Sequence, residues 1–251
     1  MRKFYMKLAG RSIAVSASFA STKVYCKNYL LAEIPHTVDI DVVVTRDAIE
    51  VEREALRKMG EGEFPDNYLE SLALQRQIAD QLLKYGVILF HGSAVALDGE
   101  VYLFTAPSGT GKSTHARLWV RGVGNRITMV NDDKPFLGVG DDGKVYVYGS
   151  PWNGKHKLGE NVCMPLKAIC ILSQATENRI KRVSAGDAFQ TIYTQTYRKS
   201  TDARFMDDTL TVLEKVLEYP IWKLECNVSR EAFKLSFETM TGEKWEDGTC
   251  D

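Results

Sequence analysis

What the chain has little of narrows its class first. Its 251 residues include five cysteines, Cys26, Cys163, Cys170, Cys226 and Cys250, and no C-x-x-C pair. Cysteines so few and scattered exclude a disulfide framework and give no zinc-site spacing, so the expectation is reduced thiols in a cytoplasmic protein. No sign of charge dominates: 32 Lys and Arg stand against 33 Asp and Glu, a net charge of −1. No global field therefore favours nucleic acid or an anionic membrane, and any anion site must be local. Nowhere do about 18 apolar residues run together, so no transmembrane helix is expected. The start, Met1 to Arg11, is basic, but Lys7 and Arg11 interrupt the apolar stretch that a secretory signal needs. With 44% hydrophobic and 26% charged residues, the remaining class is an ordinary soluble globular protein. The length suits one large domain or a domain with an N-terminal elaboration.

Hydrophobic patterning divides the chain near residue 86. Before it, Arg2 to Ala9, Ser12 to Ser16 and Lys23 to Lys27 read as short strands, and Thr37 to Thr45 alternates Val38, Ile40, Val42 and Val44 with Asp39, Asp41 and Val43. Helices are predicted over 46–59 and 66–85, the second placing Leu69, Leu72, Ala79 and Leu83 on one face and ending at Gly86. Residues 1–86 thus form a β-rich and helical N-terminal region, expected to pack on the core and carrying no catalytic constellation. Residues 87–251 carry the chemistry. Val87 to Leu97 is apolar apart from His91, Gly92 and Ser93, and leads through Asp98-Gly99 into Val101 to Thr105, a hairpin signal. Further strands are predicted at Thr128 to Val130, Lys144 to Tyr148, Leu166 to Ser173 and Ile221 to Cys226. Helices are predicted at 185–197, at the face formed by Met206, Leu210, Leu213 and Leu217, and after a Ser229 cap. The residues from Trp245 read as a frayed tail.

The second hairpin strand delivers the chain into Ala106-Pro-Ser-Gly-Thr-Gly-Lys-Ser-Thr114, a phosphate-loop pattern with Ala in place of the first glycine. Gly109 and Gly111 let backbone N–H groups of Ser108, Thr110 and their neighbours turn inward around an anion. The helix that follows presents its positive end through Ser113 and Thr114, Lys112 adds a point charge, and Ser113 can ligate Mg²⁺. Asp132 and Asp133 follow an apolar strand 20 and 21 residues beyond Lys112, where a phosphoryl-transfer site places its acidic element. Adjacent residues on a strand face opposite ways, so one carboxylate can hold Mg²⁺ and the other act as base. Asp141-Asp142-Gly143, by contrast, needs no explanation beyond a hairpin turn. The residues alone leave His91 open between a structural histidine and a proton carrier near the phosphates. They leave Gly149 to Gly159, with Lys155, His156 and Lys157, open between an anion-facing loop and an exposed basic turn.

His91-Gly-Ser-Ala-Val95, the Asp98-Gly99 hairpin, the loop and Val130-Asn-Asp-Asp133 together resemble the catalytic domain of HPr kinase/phosphorylase, whose fold is related to phosphoenolpyruvate carboxykinase. A hairpin running straight into a phosphate loop is itself informative, because most such loops follow a strand of a parallel βαβ unit. Asn131-Asp-Asp-Lys-Pro135, Pro151-Trp-Asn-Gly154 and Pro165-Leu-Lys-Ala-Ile169 are more similar to stand-alone HPr kinase-like proteins, among them kinases of lasso-peptide precursors. The resemblance spans roughly residues 87–240. It implies an α/β phosphate-loop fold with a mixed sheet, a histidine of the active site at His91, and Asp133 as the firmer acidic residue, since Asp132 matches glycine in one subgroup. It does not imply HPr as acceptor: the glycine-rich substrate-loop signature of true HPr kinases is missing, and 86 residues are short for their N-terminal domain.

The expectation is an ATP- and Mg²⁺-dependent kinase acting on a hydroxyl, with a serine of a peptide or protein as acceptor. Its phosphates would lie against Ser108 to Thr114 and Lys155, its Mg²⁺ at Ser113 and Asp133. Asp133, Asp132, His91 and Lys112 would carry the chemistry. A nucleotide-binding regulatory module with negligible turnover and a small-molecule kinase are the alternatives.

Overall fold

A computed structural model describes residues 1–199 and 201–246, which form two compact units, residues 1–85 and the chain from Gly86 on. Each unit is mixed α/β. Among the described residues no helix is long and apolar enough to cross a membrane.

In the first unit β1 (Arg2–Leu8) and β2 (Arg11–Ala17) form an antiparallel hairpin, followed by α1 (Ala20–Tyr25), β3 (Ile40–Val43), α2 (Arg46–Lys58) and α3 (Asp66–Leu82). The sheet order is β1-β2-β3, with β3 parallel to β2. Met6, Leu8, Ile13 and Val15 are buried; the alternation expected over Thr37 to Thr45 holds at Ile40, Val42 and Val44, whereas Val38 precedes β3 and is exposed. Helix α3 lies against α1, α2 and β3 and buries Leu69, Ala73, Leu74, Ile78, Ala79 and Leu82. Leu72, expected on that face, is half-buried. The stretch Lys23 to Lys27, read as a strand, belongs largely to α1. A carboxylate explains it: Glu70, wholly buried on α3, accepts from Ser18 N (2.6 Å), Phe19 N (3.1 Å) and the Thr22 hydroxyl, fixing the first turn of a helix too short to hold itself.

The second unit is built on β4 (Val87–Leu89), β5 (Ser93–Leu97), β6 (Glu100–Thr105), α4 (Lys112–Val123), β7 (Ile127–Asn131), β8 (Phe136–Val139), β9 (Val145–Tyr148), β10 (Cys163–Gln174), β11 (Arg179–Val183), α5 (Ala185–Thr194), α6 (Ala203–Leu217), β12 (Ile221–Cys226) and α7 (Arg230–Thr241). The nine strands form one mixed sheet, ordered β4-β8-β9-β10-β6-β5-β7, with β12 joined to β10 and β11 to β12. β10 is the hub: its start pairs antiparallel with β9, its middle parallel with β6, its end parallel with β12. The β5–β6 hairpin turns on Asp98 (φ 50°) and Gly99 (φ 85°), the left-handed pair that a two-residue hairpin loop requires.

One expectation fails at an informative place. Val87 to Leu97 is two strands, β4 paired to β8 and β5 paired to β6 and β7, and His91 sits in the break between them. His91-Gly92-Ser93 marks the break in the sequence, but the apolar runs on both sides hid it, because both pieces are buried. β8 and β11 went unread. On α6 the buried face is Phe205, Thr209, Val212, Leu213 and Val216, one position round from Met206, Leu210 and Leu217. Trp245 is no frayed end: its Nε1 donates to Gly122 O at 2.9 Å and its ring meets Phe233 edge-on. Residues 247–251, with Cys250, lie outside the described residues.

Removing Glu70 leaves three donors without their acceptor, so Glu70→Ala is expected to cost about 2–4 kcal/mol in denaturant unfolding. A loss below about 0.5 kcal/mol, the range of neutral surface changes, would show that α1 does not depend on it.

Candidate functional site

The site forms where β6 ends and α4 begins. The loop Ala106 to Gly111 carries Gly109 at φ 78° and Gly111, the N-cap of α4, at φ 112°, backbone angles that a Cβ disfavours. Ser108 and Gly109 are exposed, Thr110, Gly111, Ser113 and Thr114 half-buried. The Thr110 hydroxyl donates to Pro107 O (2.9 Å), and Gln174, at the end of β10, reaches the carbonyls of Gly109 and Thr110 at 3.4 Å each. These contacts, with Thr110 N donating to Pro107 O at 3.4 Å, brace the loop through its carbonyls. Lys112 is buried, 6% exposed, and folds back so that Nζ donates to Ala106 O (2.9 Å) and Pro107 O (3.1 Å). Burial pushes its pKa down to about 8, the Asp133 charge opposing and the Lys134 charge adding.

The acidic pair comes to this loop from the end of β7. Asn131, wholly buried, shapes it: its Oδ1 accepts from Asp133 N (2.8 Å) and Lys134 N (2.6 Å), and its Nδ2 donates to Ser150 O and Oγ. The carbonyl of Asp132 then accepts from two hydroxyls, Ser93 Oγ at 3.0 Å and Ser113 Oγ at 3.1 Å. Because Ser113 spends its one proton there, its lone pairs stay free for a cation.

The two carboxylates part company at this turn. Asp132 points inward, 1% exposed, with Oδ1 accepting from Gly154 N at 2.7 Å and Oδ2 buried without a partner. Asp133 is partly exposed and faces His91: Oδ1 lies 3.4 Å from His91 Nε2 and 3.9 Å from Lys134 Nζ. Burial holds the Asp133 carboxyl above its usual range, with Asp132 adding and the two lysines opposing. His91 is pinned through its backbone N–H to Gln195 O and its Nδ1 to Gln195 Oε1, both 2.8 Å, while Thr105 Oγ1 donates to His91 O. Burial, then the Lys134 and Lys112 charges, push its pKa down to about 3 against the Gln195 bond. His91 is therefore neutral at pH 7, its contact with Asp133 is not an ion pair, and the Nδ1–H to Gln195 leaves Nε2 as a bare acceptor.

Lys112, Ser113, Asp133 and His91 are thus brought together at the loop, joined by the Asp132 backbone. Lys155 is not, and the Asp132 carboxylate, although its charge acts on Asp133, is turned inward onto Gly154 N. Lys155 is exposed on the short tip Lys155 to Leu158, which leans on α4 through Arg117 Nη1 donating to His156 Nε2 at 2.6 Å. The rest of Gly149 to Gly159 is fixed structure rather than a free loop. Ser150 and Trp152 are buried, Ser150 Oγ donates to Lys134 O at 2.6 Å, and a Cβ on Gly149 would stand 1.8 Å from Glu160 O. Arg198 folds over Tyr193 and donates to the carbonyls of Tyr193 and Thr196 at the end of α5. Ser200 lies outside the described residues.

Sequence reasoning missed Ser93, Asn131, Ser150 and Gln195 as parts of this arrangement. Only Asn131 left a local signal, an Asn followed by two Asp, the composition of an Asx turn.

No protein-family model matches the chain, and no curated protein matches it. Among solved structures, the Hpr(Ser) kinase/phosphatase from Coxiella burnetii is similar to it, at 12% identity and a TM-score of 0.36 over 61% of this chain and 88% of that one. A likeness at that level leaves any reading to the residues of the site.

Asn131→Ala removes the acceptor for two backbone N–H groups and is expected to cost about 2–3 kcal/mol of stability. Lys155→Ala, at an exposed side chain, should stay within about 0.5 kcal/mol of wild type. Urea unfolding of both variants checks this; equal effects would mean that the turn at Asn131 does not hold the site.

Proposed function

We propose that the second unit binds ATP with Mg²⁺ and transfers the γ-phosphoryl group to a hydroxyl, with a serine of a peptide or protein as acceptor. The observation that carries the reading is the convergence of Lys112, Ser113, Asp133 and neutral His91 beside a loop with Gly109 and Gly111 at positive φ, a set that a plain strand-to-helix turn does not need. The motif resemblance to HPr kinase-like proteins supports the same reading.

The residues fit a divalent cation. Ser113 keeps both lone pairs and Asp133 is half-exposed at the loop, so these two would hold Mg²⁺. Among the described residues no cluster of three or more His, Cys, Asp or Glu could cage a metal, and Mg²⁺ suits a site of one or two protein oxygens completed by phosphates. When bound, it supplies positive charge beside the β- and γ-phosphates.

The chain's own groups do the rest. The loop N–H groups and Lys112 bind the phosphates, and Lys112 exchanges two carbonyl contacts for anionic oxygens. The acceptor hydroxyl oxygen forms the new bond to phosphorus, the β–γ bridging P–O bond breaks with its electron pair leaving on ADP, and the hydroxyl proton passes to Asp133 Oδ1. His91 Nε2, bare and neutral, accepts the hydrogen bond of the protonated Asp133, and Gln195 keeps that nitrogen bare. Asp132 acts through its backbone and through the turn.

Millimolar Mg-ATP should raise the melting temperature, since binding to the native state alone adds about 2.7 kcal/mol at 100 times Kd. Lys112→Ala should lose most of that shift, and no shift in wild type would end the nucleotide reading.

Asp133→Asn separates binding from chemistry. It should still be stabilised by ATP while transfer to a serine-containing peptide or protein encoded beside it falls about 10²–10⁴-fold, followed with labelled ATP and mass spectrometry. Fast hydrolysis without acceptor would make the protein an ATPase instead.

A further inference from the structure

A cavity of about 190 Å³ opens beside the first turns of α4, with Thr110, Gly111, His115, Leu118, Leu172 and Cys226 in its walls. It shares Thr110, Leu172 and Gln174 with a shallower opening over Pro107 to Gly109, so it continues directly from the loop. Its lining combines the aliphatic Leu118 and Leu172 with a few polar groups, the make-up of a pocket for a flat heterocycle rather than for an ion.

One polar group in its wall is unsatisfied. His115 is 2% exposed, and its Nδ1 is buried without a hydrogen-bond partner. Its other nitrogen, Nε2, lies 2.9 Å from Ser236 Oγ. Ser236 donates its single proton to Phe233 O (2.9 Å) and accepts from Trp119 Nε1 (2.9 Å), so the bond from His115 Nε2 must run from the ring to the hydroxyl. The proton of the neutral ring therefore sits on Nε2, and Nδ1 is a bare acceptor. An edge-on contact with Phe104 holds the ring in place. A buried acceptor without a donor is costly, and a ligand N–H relieves it.

We propose that this pocket receives the base of the nucleotide whose phosphates the loop holds, an aminopurine whose amino N–H donates to His115 Nδ1. The proposal rests on the nucleotide reading above. Leu118 and Leu172 cover the faces of the ring, and the base selects for the nucleotide without taking part in transfer.

Three ligands, each with Mg²⁺, test it on the full chain by calorimetry: ATP, tripolyphosphate, and purine riboside 5′-triphosphate, which lacks the amino group. ATP should bind more tightly than both, by about five- to tenfold over purine riboside triphosphate, the worth of one hydrogen bond. Cys226, half-buried in the pocket wall, should be protected from a maleimide by ATP and not by tripolyphosphate, while exposed Cys163 reacts throughout. In His115→Phe the preference for ATP over purine riboside triphosphate should vanish; the wild-type series decides the matter even if that variant does not fold. Equal binding of ATP and tripolyphosphate, with Cys226 equally reactive in both, would overturn the pocket while leaving the phosphate loop standing. Equal binding of ATP and purine riboside triphosphate would overturn the role of His115. Failure of all three to bind would remove the nucleotide reading and the pocket with it.

Discussion

The candidate site depends on one backbone carbonyl. Asp132 O accepts from Ser93 on β5 and from Ser113 in the first turn of α4, and so ties the strand that pairs with β6, the helix behind the loop and the end of β7 to a single point. Asn131 fixes the direction of that carbonyl by holding the next two N–H groups on its own side chain, and buried Ser150 holds Asn131 in turn. A buried polar cluster of this kind favours one arrangement, because breaking these bonds would leave the Asn131 and Ser150 groups unpaired. That constraint is what places Asp133 opposite His91 and close enough to Lys112 for its charge to act there.

The charges around this point are arranged against their own comfort. Lys112, Asp133 and His91 are each pushed by burial toward their neutral forms. His91 yields fully and stays uncharged at pH 7. Lys112 keeps its proton at neutral pH by lying on two loop carbonyls, with Asp133 nearby. A buried cation held by carbonyls at the N-terminal end of α4 is what makes the proposed polyphosphate a fitting ligand for this loop.

Much of this was legible in the chain. The loop, its glycines, the hairpin before it and the acidic pair after it are contiguous, and local pattern reads contiguous features well. The break at His91 was not, because β4 and β5 are both buried and apolar, so the short His91-Gly92-Ser93 interruption did not read as a strand end. Gln195 was invisible for another reason: it meets His91 across 104 residues, by the route that α5 takes back past β4. Pattern also overstated freedom. Gly149 to Gly159 has the composition of a mobile loop, yet its glycines mark close approach, Gly149 against Glu160 O and Gly159 against the Asn153 side chain, so most of the segment is scaffold. In the first unit, a β-prone stretch became α1 because a carboxylate from α3 supplied bonds that no local rule foresees.

Amide hydrogen exchange with and without Mg-tripolyphosphate tests the central claim, that the loop and the Asp132 turn form one anion cradle, without reference to base, acceptor or turnover. Slowed exchange confined to Ser108–Thr114 and Asn131–Lys134, with residues 1–85 unchanged, is the predicted result. Unchanged exchange in both segments at saturating ligand, or protection only elsewhere, would contradict it.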